Sequence, residues 1–295
     1  MIDHNEDSVT QVRPTARDVI ARGRNLVTLP AVYLKIQSLL NDPSSGMLDF
    51  ARVVQSDPGL SARVLQLANS AFFGVSRKVE TLSLAINLMG ISRLHDLALA
   101  TSVISTFGGI PIEQINMSVF WRRSLHIGIM ARMLAVESGI FDSERLFVAG
   151  LLHDIGHLVM YMNLPVEAMT AMQQSRERAR PLYLTEREMW QFHYGDVGSE
   201  LMTLWSFPDS LSEVCRMHVD PGGSRKFPRE CALVHIARHA VLSEEPDTGS
   251  VPCLAPLASE TFALAGVSEI TLQRISLESQ AHLTEVYAML APKQS

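Results

Sequence analysis

The sequence has little that would staple it covalently or hold it in lipid. It contains three cysteines, Cys215, Cys231 and Cys253, with no Cys-x-x-Cys pair. That excludes a disulfide framework and a thiolate zinc site and suits a reducing compartment. No stretch reaches the roughly 18 uncharged apolar residues of a membrane span, and the opening MIDHNEDSVTQVRPTARD lacks the apolar run of a secretory signal. Positive charge is also short. Lys and Arg number 25 against 31 Asp and Glu, a formal net charge of −6, so no overall field draws the chain to nucleic acid or anionic lipid. A cytoplasmic protein with no nucleic acid and no membrane among its partners is the expectation. Strictly alternating apolar and polar runs are missing, as are Asn-Gly or Asp-Gly hairpin signals, which argues against a sheet. A Gly-x-Ser-x-Gly elbow and a Gly-x-x-x-x-Gly-Lys phosphate loop are absent too, removing triad hydrolases and P-loop enzymes.

What is present is a chain with 47% apolar and 19% charged residues over 295 positions, enough for a packed core in one or two domains. After a polar, patternless arm of about 14 residues, a 3.6-residue period dominates. It runs through Val32, Leu34, Ile36, Leu39 and Leu40, then Leu48, Phe50, Val53 and Val54, then Leu60, Val64, Leu65, Leu67 and Ala68. Asn41-Asp42-Pro43 and Asp57-Pro58 interrupt it, because the residue before proline is pushed out of the helical region. The same period predicts later helices, among them a continuous one over about 143–162 and one over about 186–193 opened by a capping box at Thr185-Glu186-Arg187-Glu188. The fold class expected is all-α.

Ten histidines are present, and their settings select a few. In Ala149-Gly150-Leu151-Leu152-His153-Asp154-Ile155-Gly156-His157-Leu158 an imidazole and a carboxylate stand side by side in an apolar helix. Burying both without partners is costly. Either they form a satisfied internal polar pair, or a divalent Zn, Fe, Mn or Ni ion takes them together with His126, His193 and His218 from other helices. Such an ion could activate water for phosphate ester hydrolysis, with Asp154 as the catalytic carboxylate. His153 and His157, four apart, copy the zinc-protease His-Glu-x-x-His only weakly. His235 and His239 read as packing or surface, and His95-Asp96 as helix surface or a local hydrogen bond. Arg122 and Arg123 lie about one turn before His126 and could grip a phosphate ligand, although a solvated helix face is the simpler reading, as it is for Arg176, Arg178 and Arg180.

Several ordered motifs resemble the HDOD domain, a relative of the HD and HD-GYP phosphohydrolases. They are Leu29-Pro30-Ala31-Val32, Asp57-Pro58-Gly59-Leu60-Ser61-Ala62-Arg63-Val64-Leu65, Leu67-Ala68-Asn69-Ser70-Ala71-Phe72-Phe73-Gly74 and Ala85-Ile86-Asn87-Leu88-Met89-Gly90. The match continues through Trp121, His126, His153-Asp154, His193, Trp205-Ser206-Phe207-Pro208 and His218, covering about residues 25–242. The resemblance implies a multi-helix fold in which an N-terminal helical subdomain packs on an HD-like one. The expected division is an arm and first helix over 1–24, an N-terminal half over 25–110, an HD-like half over 111–242 and a helical extension over 243–295. It implies His126, His153, Asp154, His193 and His218 as metal ligands, and Asn69 and Ser70 as an interaction or structural motif. The sequence departs from the enzymes at three places. His157 stands where a lysine usually follows the doublet, no Gly-Tyr-Pro follows His218-Val219-Asp220, and Arg238 takes the place of the terminal metal-binding aspartate. The function implied is bacterial signalling by protein–protein contact with two-component or cyclic di-GMP components, without catalysis, around a residual His/Asp pocket suited to a metal or small ligand. The alternative is a metal-dependent phosphodiesterase acting on a nucleotide or cyclic dinucleotide.

Overall fold

The apolar period becomes helix, and side-chain caps mark the start of several helices. The structure, a computed structural model, describes residues 14–22, 28–40, 42–73, 77–108, 113, 115–244, 254 and 256–290; the expected N-terminal arm lies almost wholly outside them. The first helices are α1 (Ala16–Arg22), α2 (Ala31–Leu40), α3 (Met47–Gln55), α4 (Pro58–Ala68), α5 (Leu82–Met89) and α6 (Ile91–Gly108). There follow α7 (Met117–Glu137), α8 (Ser143–Leu152), α9 (Ile155–Asn163), α10 (Pro165–Glu177), α11 (Leu182–Trp190) and α12 (Tyr194–Leu204). The chain ends with α13 (Asp209–Met217), α14 (Pro228–Glu244), α15 (Ser259–Ala265) and α16 (Glu269–Leu290), with no strand among the described residues. The chain is all-α. Asp57 accepts from the Leu60 amide at 2.9 Å with Pro58 in the first turn, and Asn116 accepts from both Ser118 and Val119, so these side chains satisfy amides that the helix itself leaves open.

Two apolar clusters form. The smaller is confined to the first helices and their connections, with Ile36, Phe50, Val54, Val64, Ile86 and Leu94 buried in it. The larger runs from α7 to α14 and also takes in α1 and the last helix, through Val19, Ile20, Leu283 and Val286. Helix α6 faces both, giving Leu94 and Ala98 to the first and Leu97, Val103 and Phe107 to the second.

The motif around Asn69 is spent on this architecture. Asn69 Nδ2 donates to the carbonyls of Leu65 and Val79 at 2.8 and 2.7 Å, and its Oδ1 accepts from the Val79 amide at 2.7 Å. Ser70 Oγ donates to Leu67 O at 2.7 Å. Phe72 and Phe73 then form a platform for the Arg132 guanidinium, 4.4 and 5.3 Å from the two ring centres. Arg132 also donates to Phe72 O at 3.0 Å and pairs with buried Glu144, which Arg93 of α6 reaches at 3.2 Å. A cation on an aromatic face, held by a buried carboxylate, fastens the first helices to α7 and α8.

Two local expectations are corrected. The helix expected over 143–162 is two helices with a break at His153 and Asp154. The capping box at Thr185 does not form: helix α11 starts at Leu182, after Pro181 at its N-cap, and Thr185 and Glu186 lie buried inside it. Of the two readings of His95-Asp96 the local hydrogen bond holds, at 3.2 Å between His95 Nδ1 and Asp96 Oδ1, and the pair is buried rather than on the surface.

Candidate metal centre

The break between α8 and α9 makes the site. In one continuous helix, neighbouring side chains diverge by about 100°. Here His153 closes α8 and Asp154 opens α9, so both side chains turn to the same interior point, where His218 arrives from the end of α13. Helix α9 comes close to α12 because residue 156 is glycine: a Cβ there would fall 1.9 Å from Tyr194 O and 2.7 Å from Gly198 N. Helices α7 and α8 cross in the same manner at Gly128 and Gly150, where a Cβ on Gly150 would lie 2.8 Å from Gly128 Cα.

His153 Nε2 lies 3.4 Å from Asp154 Oδ1, and His218 Nε2 lies 3.9 Å from the same oxygen. Ligand atoms on one tetrahedral ion are separated by roughly 3.3–3.5 Å. The tautomers agree with that role. His153 Nδ1 donates to Gly150 O at 2.6 Å and His218 Nδ1 to Cys215 O at 2.8 Å, so each neutral ring keeps its lone pair on Nε2. Burial drives the His153 pKa down to about 4 and that of His218 well below its ordinary value. Burial pushes Asp154 upward, but its interactions with His153, His157 and Arg238 outweigh it and hold the carboxyl well below the usual range.

Other groups at the centre oppose an ion. Arg238 of α14 turns inward, with Nε 3.9 Å from Asp154 Oδ1. Tyr194 Oη donates to His218 Nε2 at 3.1 Å, engaging the lone pair a metal would need. His157 lies between two carboxylates, Nδ1 3.6 Å from Asp154 and Nε2 3.8 Å from Glu186, and stacks on Tyr194 with ring centres 3.7 Å apart. At this centre four buried atoms have no hydrogen-bond partner among the described residues: His153 Nε2, Asp154 Oδ1, His157 Nε2 and Arg238 Nε. This set contains a guanidinium donor beside carboxylate and imidazole acceptors. A water, which both donates and accepts, suits it better than a cation. A divalent ion close to the guanidinium would be repelled by several kcal/mol at an effective dielectric of about 20.

The remaining candidates lie elsewhere. His126 Nε2 is 2.9 Å from Ser279 Oγ of α16, so that ring is engaged with the last helix and stands outside the trio. His193 caps α12, its Nδ1 accepting from the Gly195 amide at 3.0 Å, with Arg187 3.2 Å from Nε2. Of the five expected ligands the structure brings three together, His153, Asp154 and His218, while the other two rings are turned to separate hydrogen bonds. Arg122 is exposed; Arg123 is half-buried, its charge acting on Tyr161. His235, read as packing or surface, donates from Nδ1 to His218 O at 2.6 Å. Two residues were missed. Glu186, whose carboxyl burial pushes up to about 8, accepts from the Tyr194 amide at 2.8 Å, and Tyr194 spans His157 and His218. A glutamate in a helix-start pattern conceals the first, and an aromatic after His193 was the only trace of the second.

The described residues form an all-α bundle with a His-Asp doublet at a helix break. The chain belongs to the HDOD domain family, whose model matches residues 26–221. It is similar over 94% of its length to an HDOD domain protein of unknown function from Geobacter sulfurreducens, at 22% identity and a TM-score of 0.69 over 98% of that chain. A candidate phosphohydrolase from Shewanella amazonensis SB2B gives 22% identity and a TM-score of 0.70, covering 92% of this chain and 98% of the other. A candidate signal transduction protein from Marinobacter aquaeolei VT8 gives 20% and 0.68, covering 91% of this chain and 60% of that one. At these identities the likeness is one of fold. An uncharacterized Treponema pallidum (strain Nichols) protein is 24% identical over 222 residues, 74% of this chain but 42% of the relative's length. Among the described residues no helix is long and apolar enough to cross a membrane.

Proposed function

We propose that this is a regulatory HDOD protein that works by protein–protein contact and does not hydrolyse phosphate esters. The observation that carries the reading is Arg238, whose guanidinium supplies, 3.9 Å from Asp154, the positive charge that an ion would otherwise bring. The centre then serves as a charge-balanced polar core that fixes how α8, α9, α13 and α14 meet. Signalling components of two-component or cyclic di-GMP systems are the partners in this reading, and a cytoplasmic location belongs to it. The test is metal analysis of untagged protein together with phosphodiesterase assays on bis(p-nitrophenyl) phosphate and cyclic di-GMP with Mn, Fe, Ni or Zn added. Neither stoichiometric metal nor turnover is expected. Turnover abolished by Asp154→Ala with the fold retained overturns the reading.

The lone-pair geometry of His153 and His218 favours a second reading, a metal-dependent phosphohydrolase. In it His153, Asp154 and His218 hold one divalent ion, which when bound supplies a Lewis acid able to activate water. Asp154 would anchor that ion, and Tyr194 would move its hydroxyl proton away from His218 Nε2.

A further inference from the structure

Helices α8 and α13, which end at His153 and His218, share a second feature toward their N-terminal ends. Between them lies a cavity of about 250 Å³ whose apolar wall includes Ile140, Leu146, Ala149, Leu211, Val214 and Phe227. It exceeds the roughly 150 Å³ of an apolar cavity that accepts benzene, so one large side chain fits. Two polar residues also line it, Arg145 and Ser210, whose Nε and Oγ have no hydrogen-bond partner among the described residues. Both atoms are closed off as the cavity stands, and a rotation of Ser210 about χ1 is what would offer its hydroxyl to an acceptor there.

Charge narrows what that acceptor is. Asp142, Asp209 and Glu230 also line the cavity; Arg145 pairs with Asp142 at 3.2 Å, and Lys226 with Asp209 at 3.1 Å. Three carboxylates against two cations repel a free anion, favour a neutral carbonyl and welcome a basic group nearby. Phe141 lies between two lining residues, Ile140 and Asp142, and is 95% exposed. An aromatic ring displayed beside a pocket is surface that a polypeptide covers and a small molecule does not need.

The cavity also reaches toward the His/Asp centre. Ala149 precedes His153 by one helical turn, and Val214 precedes His218 by one turn, its carbonyl accepting the His218 amide at 2.9 Å. Cys215 Sγ lies 3.3 Å from His153 O, tying the two helix ends together. We propose that this cavity docks a partner polypeptide, which inserts one large apolar side chain, accepts hydrogen bonds at a neighbouring backbone carbonyl and carries a basic residue alongside. Occupancy is relayed along α8 and α13 to His153 and His218. The proposal rests on the regulatory reading above and names its docking surface.

The experiment titrates the full chain, labelled at Ile, Leu, Val and Ala methyls, with N-acetyl-phenylalanine amide as the probe, and compares N-acetyl-phenylalanine, which bears a carboxylate, and N-acetyl-phenylalanyl-lysine amide. Saturable shifts of the Ile140, Leu146, Ala149 and Val214 methyls at millimolar probe are expected. The lysine probe should bind more tightly and the carboxylate several-fold more weakly. Ser210→Ala should weaken the neutral probe about fivefold, the worth of one neutral hydrogen bond. Ala149→Leu, which fills the cavity, should abolish the shifts; if it does not fold, Ser210→Ala and Phe141→Ser carry the test. The imidazole resonances of His153 and His218 should move with the same midpoint. Absent or non-saturable shifts overturn the proposal, as does tighter binding of the carboxylate, which would mark an anion pocket, or self-association through this face in sedimentation. Saturation of the methyls with unmoved imidazoles overturns the relay. Phosphodiesterase turnover would sink the non-catalytic reading without altering these titrations, and a failed titration leaves that reading untouched.

Discussion

His95-Asp96 and His153-Asp154 are the same dipeptide set in two backbones. The first lies inside α6, where His95 Nε2 is 2.9 Å from the Tyr33 hydroxyl of α2 and Nδ1 is 3.2 Å from Asp96 Oδ1. That makes a local chain, Tyr33–His95–Asp96, buried and largely closed on itself. The second spans a helix break, and there both side chains converge with His157 of α9, His218 at the end of α13 and Arg238 of α14. Composition is therefore a poor guide to chemistry. The backbone interruption, made possible by close helix approach at Gly156, turns a doublet into a meeting point.

The comparison can be broken most forcefully at that glycine. Gly156→Ala should cost about 4 kcal/mol in chemical denaturation, since the added carbon meets backbone atoms that cannot swing aside. A near-neutral result would mean that α9 and α12 do not approach as described. Arg238→Met should cost about 3 kcal/mol, because it leaves Asp154 buried without its counter-charge. Arg238→Asp should bind Mn or Zn and gain melting temperature with added metal, while the wild-type chain should not. An equal rise in the wild type would show that the guanidinium does not exclude an ion.

Acidity sharpens the contrast further. His153, His193 and His235 are each pushed down to about 4 by burial, so between about pH 4 and 6.5 the unfolded chain binds more protons than the folded one. Stability should rise with pH through that window. Glu186, raised to about 8, acts oppositely from 4.5 upward: the folded state keeps a proton the unfolded state loses, so stability declines toward pH 8. Melting temperature should therefore peak near pH 6.5, and Glu186→Gln should flatten the alkaline side. A monotonic profile through pH 8 would contradict the burial of Glu186. The smallest effect belongs to the other doublet. Tyr33→Phe should cost about 1 kcal/mol, one hydrogen bond to His95, and leave metal response unchanged.

Much of the fold was legible because helical period and capping are local properties. The breaks read at Asn41-Asp42-Pro43 and Asp57-Pro58 fall between α2 and α3 and between α3 and α4. The site was less so. His153, Asp154 and His218 stood out as polar residues in apolar surroundings, but the break at 153 carries no proline, and the apolar pattern runs straight through it. His126 has the right residue type, yet its partner, Ser279, is 153 positions away and part of a tail with no motif. Glu186 was legible only as a charge inside a pattern, Thr185-x-x-Glu188, that was read as a helix start, because Thr-x-x-Glu patterns arise inside helices as well as at their starts.

That remote serine has a consequence for how the chain holds together. The segment matched by the family model ends at residue 221, yet Arg238 on α14 neutralises Asp154 and Ser279 on α16 engages His126. The cooperative folding unit is longer than the recognisable domain. A fragment trimmed to the family boundary would strand one buried carboxylate, bare the apolar flank of α7 and aggregate where the intact chain stays folded.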